Sequence, residues 1–458
     1  MFRRWPLFQR MLSWTKPYAP ADHRSREYER YDWNSLLADD ADLRGTQADH
    51  MDGTSYFPSR PEMEQGLAAF AQRARVEVRY GCRWESTRHD GKAFTLSTSD
   101  GEYSAPLVVF AVGVAEPWRP GSPGLELVPH YAEMKDAQAY AGKSVFIVGK
   151  KNSGFEIATG LLPWASRIVL ASPSPAKTSV ETRSLVGVRA RYVQPFEDHA
   201  LGGGVFIIDA SIDAMTRDAN GQFEFRTRFS ANSLERVFHA DEAVAATGFQ
   251  TPLLDLPRLG VTTFGQSGLP TQGAFWESAT VPGIYFAGTI TQGSAGLKKY
   301  GIPANSGAVH GHRYNARVLA RRIAEQHFGA GPTPRPVSPP EVVGRLLEEL
   351  SGGPGYGADV FHQRSYLARV VEITPAGGAA DVGIQPLSHF LDAGGPDAVA
   401  TTLESNAAGE MYPAVYVRQG GALREVLLEP DALLDYRSPP HRRALESALK
   451  PLLGEAVS

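Results

Sequence analysis

A single cysteine, Cys82, stands in 458 residues. One thiol excludes an intrachain disulfide framework, a CxxC redox pair and a thiolate zinc site, and it fits a reducing cytosol. No apolar run is long and uninterrupted enough to span a membrane as a helix. The basic, aromatic start Met1-Phe2-Arg3-Arg4-Trp5-Pro6 lacks the apolar stretch and small-residue cleavage site of a secretory signal. Charge of one sign is missing too: 46 Lys and Arg against 50 Asp and Glu give a formal net charge of -4, which argues against nonspecific nucleic-acid binding. The motifs HExxH, GxSxG and GxxxxGK[ST] are absent, as are paired Cys/His spacings and any solenoid-like repeat. These absences point to a cytoplasmic chain with no metal site and neither nucleic acid nor membrane as partner.

What is present is concentrated in two runs. Residues 145–158 read Val-Phe-Ile-Val-Gly-Lys-Lys-Asn-Ser-Gly-Phe-Glu-Ile-Ala. A buried strand turns through a glycine-bearing loop into a helix, the geometry that holds a dinucleotide pyrophosphate. Gly149 and Gly154 fill the first and third positions of a GxGxxG turn, and Lys151 stands at the second. Lysine there either offers its ammonium to the phosphates or blocks them. A strand–turn–helix with nothing bound is the plain alternative. Asn152 and Ser153 open the helix. The next strand ends Ala171-Ser172-Pro173-Ser174-Pro175-Ala176-Lys177. An acid at this place suits the ribose hydroxyl of NAD; Ser172, Ser174 and Lys177 suit the 2′-phosphate of NADPH. A Pro/Ser loop with no ligand is again the alternative. If the site is real, a bulky residue at Ser153 or Gly154 should abolish flavin reduction and leave the fold intact.

The second run, 283–313, reads Gly-Ile-Tyr-Phe-Ala-Gly-Thr, a polar loop, then Ile-Pro-Ala-Asn-Ser-Gly-Ala-Val-His-Gly-His-Arg. A strand ends at Gly288-Thr289, and Asn305 or Ser306 can cap the helix that follows. Gly307 and Gly311 lie four apart and so share a face near the positive helix end. Either they admit a flat, electron-rich group such as the pyrimidine edge of a flavin, or they allow close packing on the sheet. His310 and His312 flank this face and read as structural. Lys298, Lys299 and Tyr300 read as a solvated loop edge, with a phosphate or substrate as the other possibility. No residue stands out as catalytic.

Around these runs the pattern predicts a helix over 62–74, a strand over 76–80, a hairpin around Asp100-Gly101, and a strand over 107–111 buried on both faces. A linker over 117–124 precedes the unit with strand 145–148, helix 153–162 and strand 168–171. A hairpin near Asn220-Gly221 and the run 242–249 close that unit. The strand 284–287 and a helix from Ser306 to about Glu325 return to the first domain. The Pro/Gly-rich stretch 329–340 reads as a linker. Beyond it lie strands near 366–374, 397–403, 413–418 and 424–428 and a helix over 440–453.

Several segments resemble the FAD- and NAD(P)H-dependent oxidoreductases of the flavin-containing monooxygenase and thioredoxin-reductase-like superfamily. They are Phe2-Arg3-Arg4-Trp5-Pro6, Tyr31-Asp32-Trp33-Asn34-Ser35-Leu36-Leu37, Tyr56-Phe57-Pro58, Phe110-Ala111-Val112-Gly113, Lys151-Asn152-Ser153, Ala246-Thr247-Gly248-Phe249, Tyr285-Phe286-Ala287-Gly288-Thr289 and the run 359–386. The resemblance implies an α/β fold of two nested Rossmann-like dinucleotide-binding domains, FAD-type and NAD(P)-type, plus a C-terminal α+β appendage. The corresponding segments are 1–120 and 251–330 for the FAD-type domain, 121–250 for the NAD(P)-type domain and 331–458 for the extension. It implies FAD and NADPH as cofactors, Gly113 and Gly248 at the two interdomain crossovers, and Asn34 beside the isoalloxazine. The activity implied is monooxygenase-like oxidation of a small molecule; the alternative is a degenerate flavoprotein that no longer holds FAD. The superfamily opens on strand–GxGxxG–helix–strand, and Met1 falls after that unit. Three explanations compete: the natural start lies upstream, the chain is a true truncation, or a second copy or another subunit completes the FAD site. Without the first strand, the flanking apolar strands should be exposed.

Overall fold

The computed structural model describes residues 7, 10–182, 187–294, 296, 298–299, 302–303, 308–374, 377–406 and 408–454. They divide into two compact units. Unit 1 is built on Val114–Pro252 with Leu7 and Arg10; unit 2 combines Met11–Gly113 with Leu253 onward. The chain thus enters unit 2, builds unit 1 and returns.

The front of unit 2 carries helix α1 (Arg60–Arg73), two residues ahead of its expected start. The reason is a capping box: Ser59 Oγ accepts from the Glu62 amide, and the Glu62 carboxylate accepts from the Ser59 amide at 2.6 Å. Strands β1 (Trp84–His89), β2 (Phe94–Thr98) and β3 (Gly101–Ala105) form an antiparallel sheet, with the expected turn at Asp100-Gly101. The strand expected over 76–80 does not form. Val76, Val78 and Tyr80 are exposed, and alternation makes no strand without an edge to pair with. Strand β4 (Val108–Phe110) is present, but only Phe110 is buried and Val109 is 46 % exposed. The expectation of burial on both faces is therefore corrected: among the described residues β4 has one neighbour, described below.

Unit 1 begins with β5 (Glu116–Pro117), which overlaps the expected linker over 117–124 only at Pro117. Then come β6 (Ser144–Val148), α2 (Asn152–Leu161), β7 (Arg167–Ser172), α3 (Ser179–Thr182), α4 (Gln194–Ala200), β8 (Val205–Arg217), β9 (Phe223–Phe229), β10 (Glu235–Ala240), β11 (Glu242–Ala245) and β12 (Phe249–Gln250). Strand β12 pairs with β5. The main sheet has the order β10-β9-β8-β7-β6-β11; β8 through β11 in that order are parallel, and β8, β9 and β10 are antiparallel. Parallel strands buried on both faces read as continuous apolar runs, and Val145, Phe146 and Ile147 of β6 are buried. Helix α2 buries Phe155, Ile157 and Leu161, with Phe155 stacked on Phe196 of α4 at 4.3 Å. Phe146 stacks on Phe225 of β9 at 3.9 Å. This packing sets α2 with its N-terminus at the carboxyl ends of β6 and β7.

Back in unit 2 the chain forms α5 (Leu256–Leu259), β13 (Thr263–Phe264), β14 (Leu269–Pro270), β15 (Ile284–Phe286), β16 (Lys298–Lys299), β17 (Ile302–Pro303) and α6 (Val309–Phe328). Strand β15 is the parallel neighbour of β4. Next come β18 (Arg335–Val337), α7 (Pro339–Ser351), α8 (Asp359–His362), β19 (Leu367–Ile373), β20 (Ala379–Pro386), α9 (Leu387–Asp392), β21 (Ala398–Ser405), β22 (Met411–Gln419), β23 (Ala422–Leu427) and α10 (Pro439–Leu453). The linker expected over 329–340 contains β18 and the start of α7, because Ser338 and Glu341 form another capping box ahead of two prolines. An antiparallel sheet of order β18-β20-β19-β21-β22-β23 packs with α7 and α6 around one apolar core, which includes Tyr314, Leu346, Val371 and Val415.

Two buried arginines of this unit are each paired with two carboxylates. Arg26 bonds Glu29 at 2.9 Å and Asp359 at 2.6 Å; Arg369 bonds Glu349 at 2.6 Å and Asp381 at 2.8 Å. Burial pushes the Asp359 carboxyl up, but Arg26 chiefly outweighs it and holds the group below its usual range. Arg26→Met removes the cation from two buried carboxylates. We expect it to lower stability by about 3–5 kcal/mol in denaturant unfolding; a loss under about 1 kcal/mol would show the pairs to be dispensable.

Candidate functional site

The turn after β6 in unit 1 is the better defined of two candidate places. Gly149 has φ +121°, and a Cβ there would lie 2.5 Å from the Ala246 carbonyl oxygen. A Cβ on Gly154 would lie 2.3 Å from the Gly149 carbonyl oxygen. Both glycines are therefore required by close backbone approach: one makes the turn, and the other lets α2 sit directly on it. The expectation that a bulky residue at Gly154 leaves the fold intact is corrected by that contact. Lys151 is exposed at the N-cap of α2 with φ −105°, so no left-handed backbone is demanded where the second glycine would stand. The first helical bond runs from the Phe155 amide to the Lys151 carbonyl. The amides of Asn152, Ser153 and Gly154 precede it in the first turn, where helix N–H groups lack intrahelical partners.

The neighbours are fastened to this turn. Asn152 is structural as well as placed at the site: its Nδ2 donates to the Gly187 carbonyl at 3.2 Å, and its Oδ1 accepts from the Arg189 amide at 3.0 Å. Ser153 is half-buried in the same turn of helix. Ser172 is half-buried at the end of β7, while Ser174 and Lys177 are exposed. The Gly248 carbonyl accepts from the Trp118 amide and from His130 Nε2, each at 3.0 Å, which holds that left-handed turn (φ +101°) in place.

Two features of unit 1 escape sequence reading. The Lys150 side chain is 1 % exposed, and its Nζ bonds Asp209 Oδ1 at the end of the parallel part of β8. Burial pushes the Lys150 pKa down against the pull of Asp209. The Lys-Lys pair of the loop gives no sign of which lysine turns inward. Glu156 is the second: it lies on the buried face of α2, where burial raises its carboxyl to about 7 against the pull of the Tyr131 and Tyr192 hydroxyls. An acid inside the apolar run Phe155-Glu156-Ile157-Ala158 was the available signal.

The second place, in unit 2, is the start of α6 and the segment around Trp33. The cap expected at Asn305 or Ser306 is corrected: the N-cap is Ala308, which supplies no side-chain cap. Asn305, Ser306, Gly307 and Tyr300 themselves lie outside the described residues, as do the side chains of Lys298 and Lys299. Gly311 is in the first turn, and its carbonyl accepts from Gln363 Nε2 at 2.9 Å. Gly288 takes φ +75° after β15, Gly113 takes φ +72° after β4, and Thr289 is exposed. Asn34 is buried with its amide committed: Nδ2 donates to the Ser13 carbonyl and to Thr15 Oγ1, and Oδ1 accepts from Ser13 Oγ. The role this geometry gives Asn34 is to hold the segment.

Trp33 stacks on His310 with centroids 4.1 Å apart, and His362 meets both rings edge-on. Arg313 fastens the segment to α6 through the Asp32 carbonyl (2.8 Å) and the Ser35 carbonyl. Burial, then His362 and Arg313, pushes His310 well below its ordinary pKa; burial takes His312 to about 4 and His362 to about 3. All three imidazoles are neutral at physiological pH. His310 is 1 % exposed, and among the described residues neither of its ring nitrogens has a partner, nor do Trp33 Nε1 and His312 Nε2. Buried polar atoms without partners are costly, which singles this cluster out as the second candidate site.

A parallel sheet whose strand ends meet a glycine-crossed helix start is the geometry of a dinucleotide-binding fold. The pyridine nucleotide-disulphide oxidoreductase family matches residues 1–288, and the chain belongs to it. FAD and NAD(P)H are the cofactors of that class. FAD-dependent oxidoreductase domain-containing protein 2 of Mus musculus is 27 % identical over 362 residues, 72 % of this chain and 53 % of that protein, so the chain spans about half its length. An indole-3-pyruvate monooxygenase of Oryza sativa is 33 % identical over 113 residues, 23 % of this chain and 28 % of that protein. Among solved structures, the bacillithiol disulfide reductase of Bacillus cereus has the same fold with a TM-score of 0.52 at 19 % identity, over 71 % of this chain and 88 % of that one. No described helix is long and apolar enough to cross a membrane, and no described cluster could hold a metal ion.

A carboxyl raised to about 7 keeps a proton in the folded state that the unfolded chain has already released. Its contribution to stability is therefore complete below the ordinary carboxyl pKa and falls as pH rises through 7. Glu156→Gln should match the parent near pH 4 and be the more stable by up to about 3 kcal/mol near pH 8. Parallel melting curves at all pH values would refute this.

Proposed function

We propose that the chain is a flavin-dependent oxidoreductase that takes reducing equivalents from NADPH at the turn after β6 and oxidises a small molecule in monooxygenase fashion. The observation that carries this is the close approach of Gly154 to the Gly149 carbonyl, which seats the start of α2 directly on the turn after β6. The amides of the first turn and the positive helix end suit a pyrophosphate. Ser172, Ser174 and Lys177 suit the adenosine phosphate.

In unit 2, neutral His310 and Trp33 would face the flavin edge with hydrogen-bonding nitrogens, and their burial excludes water. FAD, when bound, supplies the two-electron carriage between nicotinamide and acceptor. Cys82 is the chain's only cysteine. Electrons therefore have no cysteine pair within this chain to leave by, which supports oxygen or a small molecule as acceptor.

A second reading is a fold that binds nucleotide but no longer holds FAD. It draws on the parallel sheet of β4 and β15, with Val109 exposed and Val76 and Val78 unpaired nearby in sequence. A longer form of the chain, a second copy or another subunit would then complete the site.

The purified chain, mixed with FAD and freed of excess, should show flavin absorption that bleaches on anaerobic NADPH. Ser153→Tyr should slow the bleaching at least about tenfold with an unchanged melting curve. A protein that stays colourless after reconstitution favours the second reading.

A further inference from the structure

We propose that Lys150 and Asp209 together set the nucleotide preference of unit 1: Lys150 neutralises an acid at the edge where the ribose 2′ group is read, so that this edge takes the 2′-phosphate of NADPH. The inference rests on the dinucleotide reading of the turn after β6.

The place is fixed by register. Ser172, the last residue of β7, is the parallel partner of Asp209 on β8. The Ser230 amide donates to the Asp209 carbonyl at 2.8 Å, and Ser230 Oγ donates to the Pro173 carbonyl at 2.7 Å. Asp209 is thereby fastened beside the loop that runs from Ser172 to Lys177. In the linear sequence the β7 end carries no acid; the fold brings one to it from the next strand.

Left alone, a carboxylate here would accept from the ribose hydroxyls of NADH and repel a phosphate. Lys150 prevents this. Its side chain leaves the end of β6, passes the end of β7 and reaches Asp209, with only 1 % of it exposed against 43 % for Asp209. No other acid bonds the ammonium among the described residues. The pair is neutral as a whole, and Lys177 is exposed on the loop beside it. Lys150 is thus a specificity residue that acts through Asp209, and it need not touch the nucleotide.

The test is direct binding of NADPH and NADH, followed by nicotinamide fluorescence, with the full chain. The parent should bind NADPH the more tightly. Lys150→Met fills the buried slot with an apolar chain and leaves Asp209 bare but solvated. It should cut the NADPH/NADH affinity ratio by at least about tenfold. Lys150→Met/Asp209→Asn removes both charges and should return the ratio to within about threefold of the parent. The proposal is overturned if both nucleotides bind and Lys150→Met leaves the ratio unchanged, if the double variant stays as low as the single, or if the parent prefers NADH. If the parent binds neither nucleotide, the dinucleotide reading itself fails.

Discussion

Charge taken out of water must be paired, and the two units of this chain meet that constraint in different ways. In unit 2, Arg26 and Arg369 each hold two carboxylates. The pairs join residues far apart in sequence: Arg26 near the start meets Asp359 on α8, and Tyr314 of α6 donates to Glu29. The segment that carries Trp33 is placed by these bonds, and so is everything that stacks on it. Isolated burial of any one of these ions would cost several kcal/mol, so the network and the packing stand or fall together.

The same constraint explains the character of the two candidate sites. His310 at the start of α6 and His362 on α8 lie beside arginines and away from solvent, and they stay neutral. Neutral imidazoles keep both a donor and an acceptor, and among the described residues His310 has a partner for neither. In unit 1, little charge is buried. Lys150 is satisfied by one acid, and Glu156 meets its burial by retaining a proton near neutrality. The helix start itself sits directly on the glycine turn, because neither Gly149 nor Gly154 has room for a Cβ.

Much of the frame is legible from pattern. The β6–turn–α2 run announces itself because a buried parallel strand must be apolar throughout and a tight turn must carry glycine. Capping boxes at Ser59 and Ser338 fix two helix starts that periodicity alone misplaces. Val76–Tyr80 shows the limit: the alternation is there, yet the strand is not, because a strand needs an edge. Val109 shows it again, since an apolar run says nothing of whether both faces find cover. Asn34 reads as a ligand contact by likeness, and its hydrogen bonds place it within the backbone frame of its own segment.

The sequence by itself determined the class of local geometry: where the chain turns on glycine, where a helix begins, and that one cysteine leaves no thiol pair. These depend on residues a few positions apart. Only the tertiary structure decided which of two adjacent lysines goes inside, which acid it meets 59 residues later, and which histidine nitrogens remain without a partner. Those outcomes depend on register between strands and on desolvation, and neither is encoded in any single stretch of sequence.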